Sequence, residues 1–131
     1  AESVASYSNY DSANRVWGVI APGGDPSGSG DGDDLHWIEN IYSSTAGGSF
    51  CGIDRAGASG DCRVLIAGTS QATPHVSGTA ALMLSVNGSL TPALVKSYIC
   101  ATARNINNPK QGCGRLDAYR AVARALNDPN P

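Results

Sequence analysis

The pattern of apolar and polar positions divides the chain into a first half with strand signals and a helical second half. Two short apolar runs, "RVWGVIAPGG" (15–24) and "CRVLIAGTS" (62–70), each end at Gly or Pro. Such runs, followed by helical patterns, predict buried strands of a parallel sheet. The polar stretch 25–61 is rich in Gly, Ser and Asp, which predicts loops around one short strand near 37–42.

Three helical patterns follow the second run. The first starts near Ser70. Its own residues are small or apolar on all sides of the helix, which predicts a helix buried in the core. Its apolar stripe comprises Ala72, Val76, Ala80, Met83 and Leu84, with Gly78, Ala81 and Leu82 filling the rest. The second opens at Thr91-Pro92, a capping residue followed by proline at the first helical position. The third opens near Asp117 and ends at Asn127 and Pro129.

Length and charge narrow the classes of function. The 131 residues suffice for one domain and are too few for two. The net charge is −2 and the basic residues are scattered, so neither a nucleic acid nor an anionic membrane is an expected partner. The longest weakly polar stretch, 76–86, is far short of a membrane span. The N-terminus lacks signal-peptide features, so we expect either a processed chain or one that begins inside a longer protein.

The four cysteines form two couples that are local in sequence, Cys51 with Cys62 and Cys100 with Cys113. Neither couple has C-x-x-C spacing, and three pairings are formally open. Local loop closure favours Cys51–Cys62 with Cys100–Cys113, each bond stabilising the fold by about 3 kcal/mol in the chain-entropy model. The alternative is four reduced, partly buried thiols. We favour disulfides and therefore an oxidising, extracellular setting.

Ser70 stands where a buried strand is expected to meet a buried helix. Gly68 would permit a sharp turn, and the positive end of the helix dipole would face an oxygen that gains negative charge. Pro74 has no N–H, so the carbonyl of Ser70 loses its helical partner and the first turn should be loose. The alternative is a serine that serves only as a helix cap, which is the commoner role at such a boundary.

Neither histidine is placed to activate Ser70. Five residues along a helix turn through about 140°, so Ser70 and His75 face different directions. A general base must come within about 2.6–3.2 Å of the proton it takes. We expect His75 to be packed and bonded to backbone near the helix start. His36 lies in the polar loop and has no supporting context.

The segment "GTSQATPHVSG" (68–78) resembles the serine signature of subtilisin-like serine proteases, G-T-S-M-A-[TS]-P-H-V-[AS]-G, at ten of eleven positions. The flanking segments "ASYSNYDSANRVWGVIAPGGD", "LTPALVKSYICATA" and "GCGRLDAYRAVARAL" resemble the same family. The resemblance implies an α/β fold, with residues 1–131 forming the C-terminal part of a three-layer catalytic domain. Its sheet would be mostly parallel, flanked by helices and stabilised by disulfides.

The resemblance also implies a chemistry. Ser70 is similar to the family's nucleophile, and its backbone N–H to one oxyanion-hole donor. Gly68 and Thr69 match the turn before the nucleophile. Pro74 and His75 match motif positions outside the catalytic triad, whereas Gln71 departs from the usual methionine. A glutamine cannot form the polar sulfoxide to which methionine oxidises.

The family's Asp and His motifs and its oxyanion asparagine have no counterpart in this chain; in the family they precede the serine. We therefore expect a secreted endopeptidase, acting through an acyl-enzyme, whose N-terminal part is a required partner. The chain alone should be inactive. Protein and peptide substrates and an inhibitory propeptide are further expected partners.

Two alternatives remain open: a non-enzymatic extracellular binding module derived from a subtilase, and a self-contained disulfide-stabilised domain. No cofactor is assigned to this chain, although calcium is a candidate in the complete enzyme. The acidic residues Asp31, Asp33 and Asp34 favour a solvated, substrate-side loop over a calcium site, because the bidentate Glu of an EF-hand loop is missing.

Overall fold

A computed structural model describes residues 4–10, 18–24, 38–42 and 62–127 of the chain. Along the chain the elements are strands β1 (Ile38–Tyr42) and β2 (Cys62–Ile66), then helices α1 (Thr69–Val86), α2 (Pro92–Thr102) and α3 (Ala118–Leu126). All three helices predicted from the sequence are present, and their starts agree with prediction to within one residue.

The two strands form an antiparallel pair in which Ile38 lies opposite Ile66 and Tyr42 opposite Cys62. Strands are therefore confirmed in the second apolar run and near 37–42. In the described part of the first run, Val19 and Ile20 form isolated bridges, an antiparallel one to Gly112 and a parallel one to Arg115. The mostly parallel sheet therefore remains a prediction. The strand pair that the structure describes is antiparallel, and the parallel contact is an isolated bridge.

Helix α1 is not buried on all sides, contrary to the prediction. Thr79 and Met83 are its buried residues, whereas Leu82 is 55% exposed and Leu84 43% exposed. The reason is geometric: the described elements that pack on α1, chiefly α3, cover one side of it. An apolar sequence on every side therefore does not guarantee a buried helix, because burial also requires neighbours on every side.

The core lies where the three helices and the segment before α3 meet. Its buried apolar residues are Met83, Leu90, Tyr98, Ile99, Leu116, Ala121 and Ala125. Val19 and Ala21 pack against this cluster, which places the segment 18–24 beside the helices. A backbone hydrogen bond from Gly68 to Gly23 brings the end of the first apolar run next to the start of α1, where Ser70 lies.

Side chains cap α2 and α3 as the sequence predicts. The Oγ1 of Thr91 accepts a hydrogen bond from the backbone N–H of Leu94 at 3.3 Å, and proline follows at the first helical position. At α3 the carboxylate of Asp117 accepts from the N–H of Arg120 at 3.0 Å, and Asn127 is the C-cap. These caps satisfy backbone donors that would otherwise be unpaired.

A disulfide joins Cys100, near the end of α2, to Cys113, in the turn that leads to α3. This confirms one of the two predicted pairs. The N–H of Cys113 also donates to the carbonyl of Gly18 at 2.8 Å, so the disulfide loop holds the segment 18–24. The predicted partner pair Cys51–Cys62 lies outside the described residues, because Cys51 does.

Candidate active site

Ser70 is the second residue of α1, directly after the N-cap Gly68 and Thr69. The carbonyl of Gly68 accepts the N–H groups of Gln71 at 3.1 Å and Ala72 at 3.3 Å. Gly68, not Ser70, therefore occupies the capping position, and no side chain caps this helix. Within the part of the chain that the structure describes, the N–H groups of Thr69 and Ser70 have no backbone acceptor.

The electrostatics of this helix end favour an anion. Ser70 and Thr69 are exposed, and the first turn of α1 contains no acidic residue. Unpaired N–H groups at a helix start carry the positive end of the macrodipole, which stabilises negative charge. An oxygen that becomes negative beside the Ser70 hydroxyl would meet these donors.

Pro74 lies inside α1, four residues after Ser70. Since proline has no N–H, the Ser70 carbonyl lacks the bond that a regular helix would give it. The Oγ1 of Thr73 donates to the carbonyl of Thr69 at 2.9 Å and thereby satisfies the neighbouring acceptor. The looseness of the first turn stays a prediction.

The turn before Ser70 is fixed from outside the helix. The N–H of Gly68 donates to the carbonyl of Gly23 at 2.7 Å, which joins the ends of the two apolar runs. A Cβ on Gly23 would lie 2.8 Å from the carbonyl oxygen of Gly68, closer than a real Cβ comes. Position 23 therefore requires glycine because two backbones meet there.

Gly68 lies at the bend where the chain enters α1. Its φ of 160° is extended backbone, which other residues also adopt, so its conformation does not require glycine. A Cβ at this position would lie 3.1 Å from Oε1 of Gln71, the end of a flexible side chain that can move away, so the role of Gly68 in the turn stays a prediction. The side chain of Gln71, which departs from the family's methionine, thus folds back over the turn that precedes Ser70.

Tyr7 is a residue to which the sequence analysis assigned no role. Its hydroxyl donates to the carbonyl of Gly23 at 2.7 Å and contacts the carbonyl of Gly24. These partners are 16 and 17 residues away in sequence. Local periodicity carries no signal for such a contact, so only the fold brings Tyr7 to this site.

The structure places His75 on the helix surface. Its Nδ1 lies 2.9 Å from the carbonyl of Gln71, and since a carbonyl only accepts, Nδ1 is the donor. The ring thus bonds backbone near the helix start, as expected, but it is exposed rather than packed. His36 and the acidic residues 31, 33 and 34 lie outside the described residues.

A cavity of about 470 Å³ lies beside the first turns of α1. Its walls come from the segment 4–9, the segment 19–24 and the side chains of Thr69, Ala72 and Thr73. Ser70 itself is not among the lining residues.

Among the residues that the structure describes, no group of three His, Cys, Asp or Glu is placed to hold a metal ion. No helix in the described ranges is long and apolar enough to cross a membrane.

Comparison with known protein families identifies the class to which the chain belongs. The profile of the subtilase family matches residues 1–115, so the chain belongs to the subtilase family. Membership implies an α/β fold. The match also covers the segment 4–10, the segment 18–24 and the start of α1, the three regions that meet at the site.

The relatives are longer proteins. Halolysin from Haloferax mediterranei is 49% identical over 59 residues, which cover 44% of this chain and 11% of that protein. Subtilisin-like protease SBT1.9 from Arabidopsis thaliana is 47% identical over 59 residues, covering 44% of this chain and 8% of its own. The extracellular basic protease of Dichelobacter nodosus is 41% identical over 71 residues, covering 49% and 12%. The matches thus span a small part of each relative's length.

Proposed function

We propose that the chain supplies the nucleophile of a subtilisin-like serine endopeptidase. The observation that carries this proposal is the place of Ser70: an exposed hydroxyl on the first turn of a helix that no side chain caps. The Oγ attacks the carbonyl carbon of a peptide bond, and the Ser70 N–H donates to the resulting oxyanion. The amine leaves with a proton, and water then releases the acyl group from Oγ.

The general base comes from the N-terminal part of the same catalytic domain, together with the acid that orients it and the oxyanion asparagine. Leu82 and Val86, one helical turn apart on the same side of α1 and 55% and 40% exposed, support this proposal. Apolar side chains that lie exposed on one side of a helix can be covered by a further protein surface. The small share of each relative that the chain matches also supports a larger catalytic unit.

Protein or peptide substrates, an inhibitory propeptide and a secreted location belong to the same proposal. The disulfide Cys100–Cys113 supports an oxidising compartment. The relative from Dichelobacter nodosus is an extracellular basic protease, which supports this location independently.

Labelling with a fluorophosphonate, which reacts with activated serines, tests the proposal in the complete protein. The wild type should label and cleave casein, and Ser70→Ala should do neither. Ser77→Ala is the matched control, because Ser77 is an exposed serine two turns further along the same helix and should leave both readouts unchanged. Labelling that persists in Ser70→Ala would contradict the proposal. A complete protein that neither labels nor cleaves would favour the binding-module alternative.

A further inference from the structure

We propose that the hydroxyl of Tyr7 positions the turn that carries Ser70, and that its removal slows catalysis without weakening substrate binding. This inference rests on the proposed role of Ser70 as the nucleophile. Tyr7 does not touch the reacting atoms in this scheme. It acts through the carbonyl of Gly23 and the N–H of Gly68.

Two donors lie within hydrogen-bond distance of the Gly23 carbonyl. A carbonyl oxygen has two lone pairs, and here one accepts the Gly68 N–H at 2.7 Å while the other accepts the Tyr7 O–H at 2.7 Å. The same hydroxyl also contacts the carbonyl of Gly24, so its single proton lies between two carbonyl acceptors on consecutive residues. Tyr7 therefore fixes the direction of the acceptor to which the N-cap of α1 is bonded.

The three groups are also packed against one another. A Cβ on Gly23 would lie 2.8 Å from the Gly68 oxygen and 3.0 Å from the Tyr7 hydroxyl oxygen. A rotation of the Gly23 peptide would therefore move Gly68, the residue from which α1 starts. Ser70 follows two residues later, and a shift of about 1 Å in a catalytic group can lower the rate by about 10²-fold.

The opposite end of this segment is held independently. The N–H of Ile20 donates to the Gly114 carbonyl at 3.0 Å, and the Ile20 carbonyl accepts the Leu116 N–H at 2.8 Å. The disulfide at Cys113 anchors the turn that makes these bonds. Loss of the Tyr7 hydroxyl should therefore loosen the end at Gly23–Gly24, next to the catalytic turn, and leave the core in place.

The test is Tyr7→Phe in the complete protein, because phenylalanine keeps the ring and removes only the O–H. One lost hydrogen bond should lower kcat, and the rate of fluorophosphonate labelling, by about tenfold while KM stays unchanged. The exchange rate of the Gly68 amide proton is measured by NMR in the Ser70→Ala variant and in the Ser70→Ala/Tyr7→Phe double variant. We expect faster exchange in the double variant. Tyr10→Phe is the control: Tyr10 is 53% exposed, and its ring keeps the contact to the Lys110 ammonium, 4.3 Å from the centroid.

The outcomes separate this proposal from the one on which it rests. If Ser70→Ala remains active, the proposed function fails and the positioning role fails with it. If Ser70→Ala is inactive but Tyr7→Phe matches the wild type in kcat and in Gly68 exchange, the function stands and the positioning role is overturned. A lower kcat that follows a lower melting temperature, with unchanged Gly68 exchange, would also overturn it, because that result describes a purely structural tyrosine.

Discussion

The starts of α1 and α3 differ in how the unpaired N–H groups of the first helical turn are treated. At α3, Asp117 is buried, and its carboxylate accepts the Arg120 N–H at 3.0 Å and the Arg104 Nε at 2.6 Å. At α1 the N-cap is Gly68, which has no side chain to cap the helix, and the first turn contains no acidic residue; among the described residues, no side chain bonds the first-turn donors. One helix end is thus closed by its own side chains, whereas the other is open.

The difference between the two helix starts affects both helix stability and the ability to bind an anion. A capping side chain satisfies donors and stabilises a helix, but it also occupies the site where an anion would bind. The start of α1 is held instead by the backbone hydrogen bond from Gly68 to Gly23 in the neighbouring segment. Within the described part of the chain, the first-turn donors beside Ser70 thus have no capping side chain, although the turn itself is hydrogen-bonded to the neighbouring segment.

The largest expected effect concerns the open end. The 131-residue chain alone should neither label at Ser70 nor cleave casein, and activity should return with its N-terminal part. Loss of the serine or histidine of such a triad lowers kcat by about 10⁶-fold, so only background hydrolysis should remain. The measurement is casein cleavage with and without the added part. Full activity of the verified chain alone would mean that the base lies within it.

The comparison also shows which features the sequence could predict. The starts of α2 and α3 follow from Thr91, Pro92 and Asp117, because a cap is a local signal whose partners are three residues away. The Cys100–Cys113 bond follows for the same reason, since its loop is short. The serine motif located Ser70 at a helix start, which the structure agrees with.

Features that depend on distant neighbours could not be predicted. The bond from Tyr7 to Gly23 spans 16 residues, and no periodicity encodes it. The prediction that α1 is buried on all sides is wrong, because an apolar pattern does not indicate whether the described chain has elements that cover every side of the helix. The antiparallel pairing of β1 with β2 likewise depends on a connection that local apolar runs do not specify.

The closed end should lose much of its stability without the disulfide. Replacing both Cys100 and Cys113 by serine should cost about 2–5 kcal/mol in the free energy of unfolding, because the bond restricts the unfolded chain. Urea unfolding of the double variant under oxidising conditions measures this loss. Hydrogen exchange should accelerate most at residues 112–116 and less in the middle of α1. Equal acceleration in both regions would contradict a local effect of the disulfide on the turn before α3.

The next effect is smaller and tests the cap itself. Asp117→Ala should cost about 1–2 kcal/mol, because it leaves the Arg120 N–H unpaired. Asp117→Asn is the matched control: its side-chain oxygen can still cap, so it should lose less than about 1 kcal/mol, from an ion pair whose Arg104 side chain is 59% exposed. Urea unfolding at neutral pH compares the two. An Asn variant as unstable as the Ala variant would show that the charge, not the cap, dominates.

The same carboxylate should make this contribution depend on pH. The pKa of Asp117 is lowered in the fold, first by the hydrogen bond from the Arg120 N–H and then by Arg104, against the opposing effect of burial. Its contribution is therefore full above the unfolded carboxyl pKa of about 3.9 and is lost as the pH falls through the lower folded value. The stability difference between wild type and Asp117→Asn should shrink accordingly in acid. A difference that grows below pH 4 would reverse the assigned sign.

The smallest effect tests whether the exposed side of α1 has a partner. Gly78 is exposed inside the helix, and a Cβ there would meet no atom within 4 Å in the described chain. Gly78→Ala should therefore stabilise the chain alone by about 0.5–1 kcal/mol, because alanine loses less backbone entropy on folding. Ala81→Gly, one turn further on, should destabilise it by a similar amount. If the N-terminal part packs on this face, the added methyl meets that surface and the gain from Gly78→Ala should vanish in the complete protein. Urea unfolding of both variants, alone and in the complete protein, measures the change. An equal gain in both settings would mean that this side of α1 stays in solvent, and the partner surface would have to be sought elsewhere.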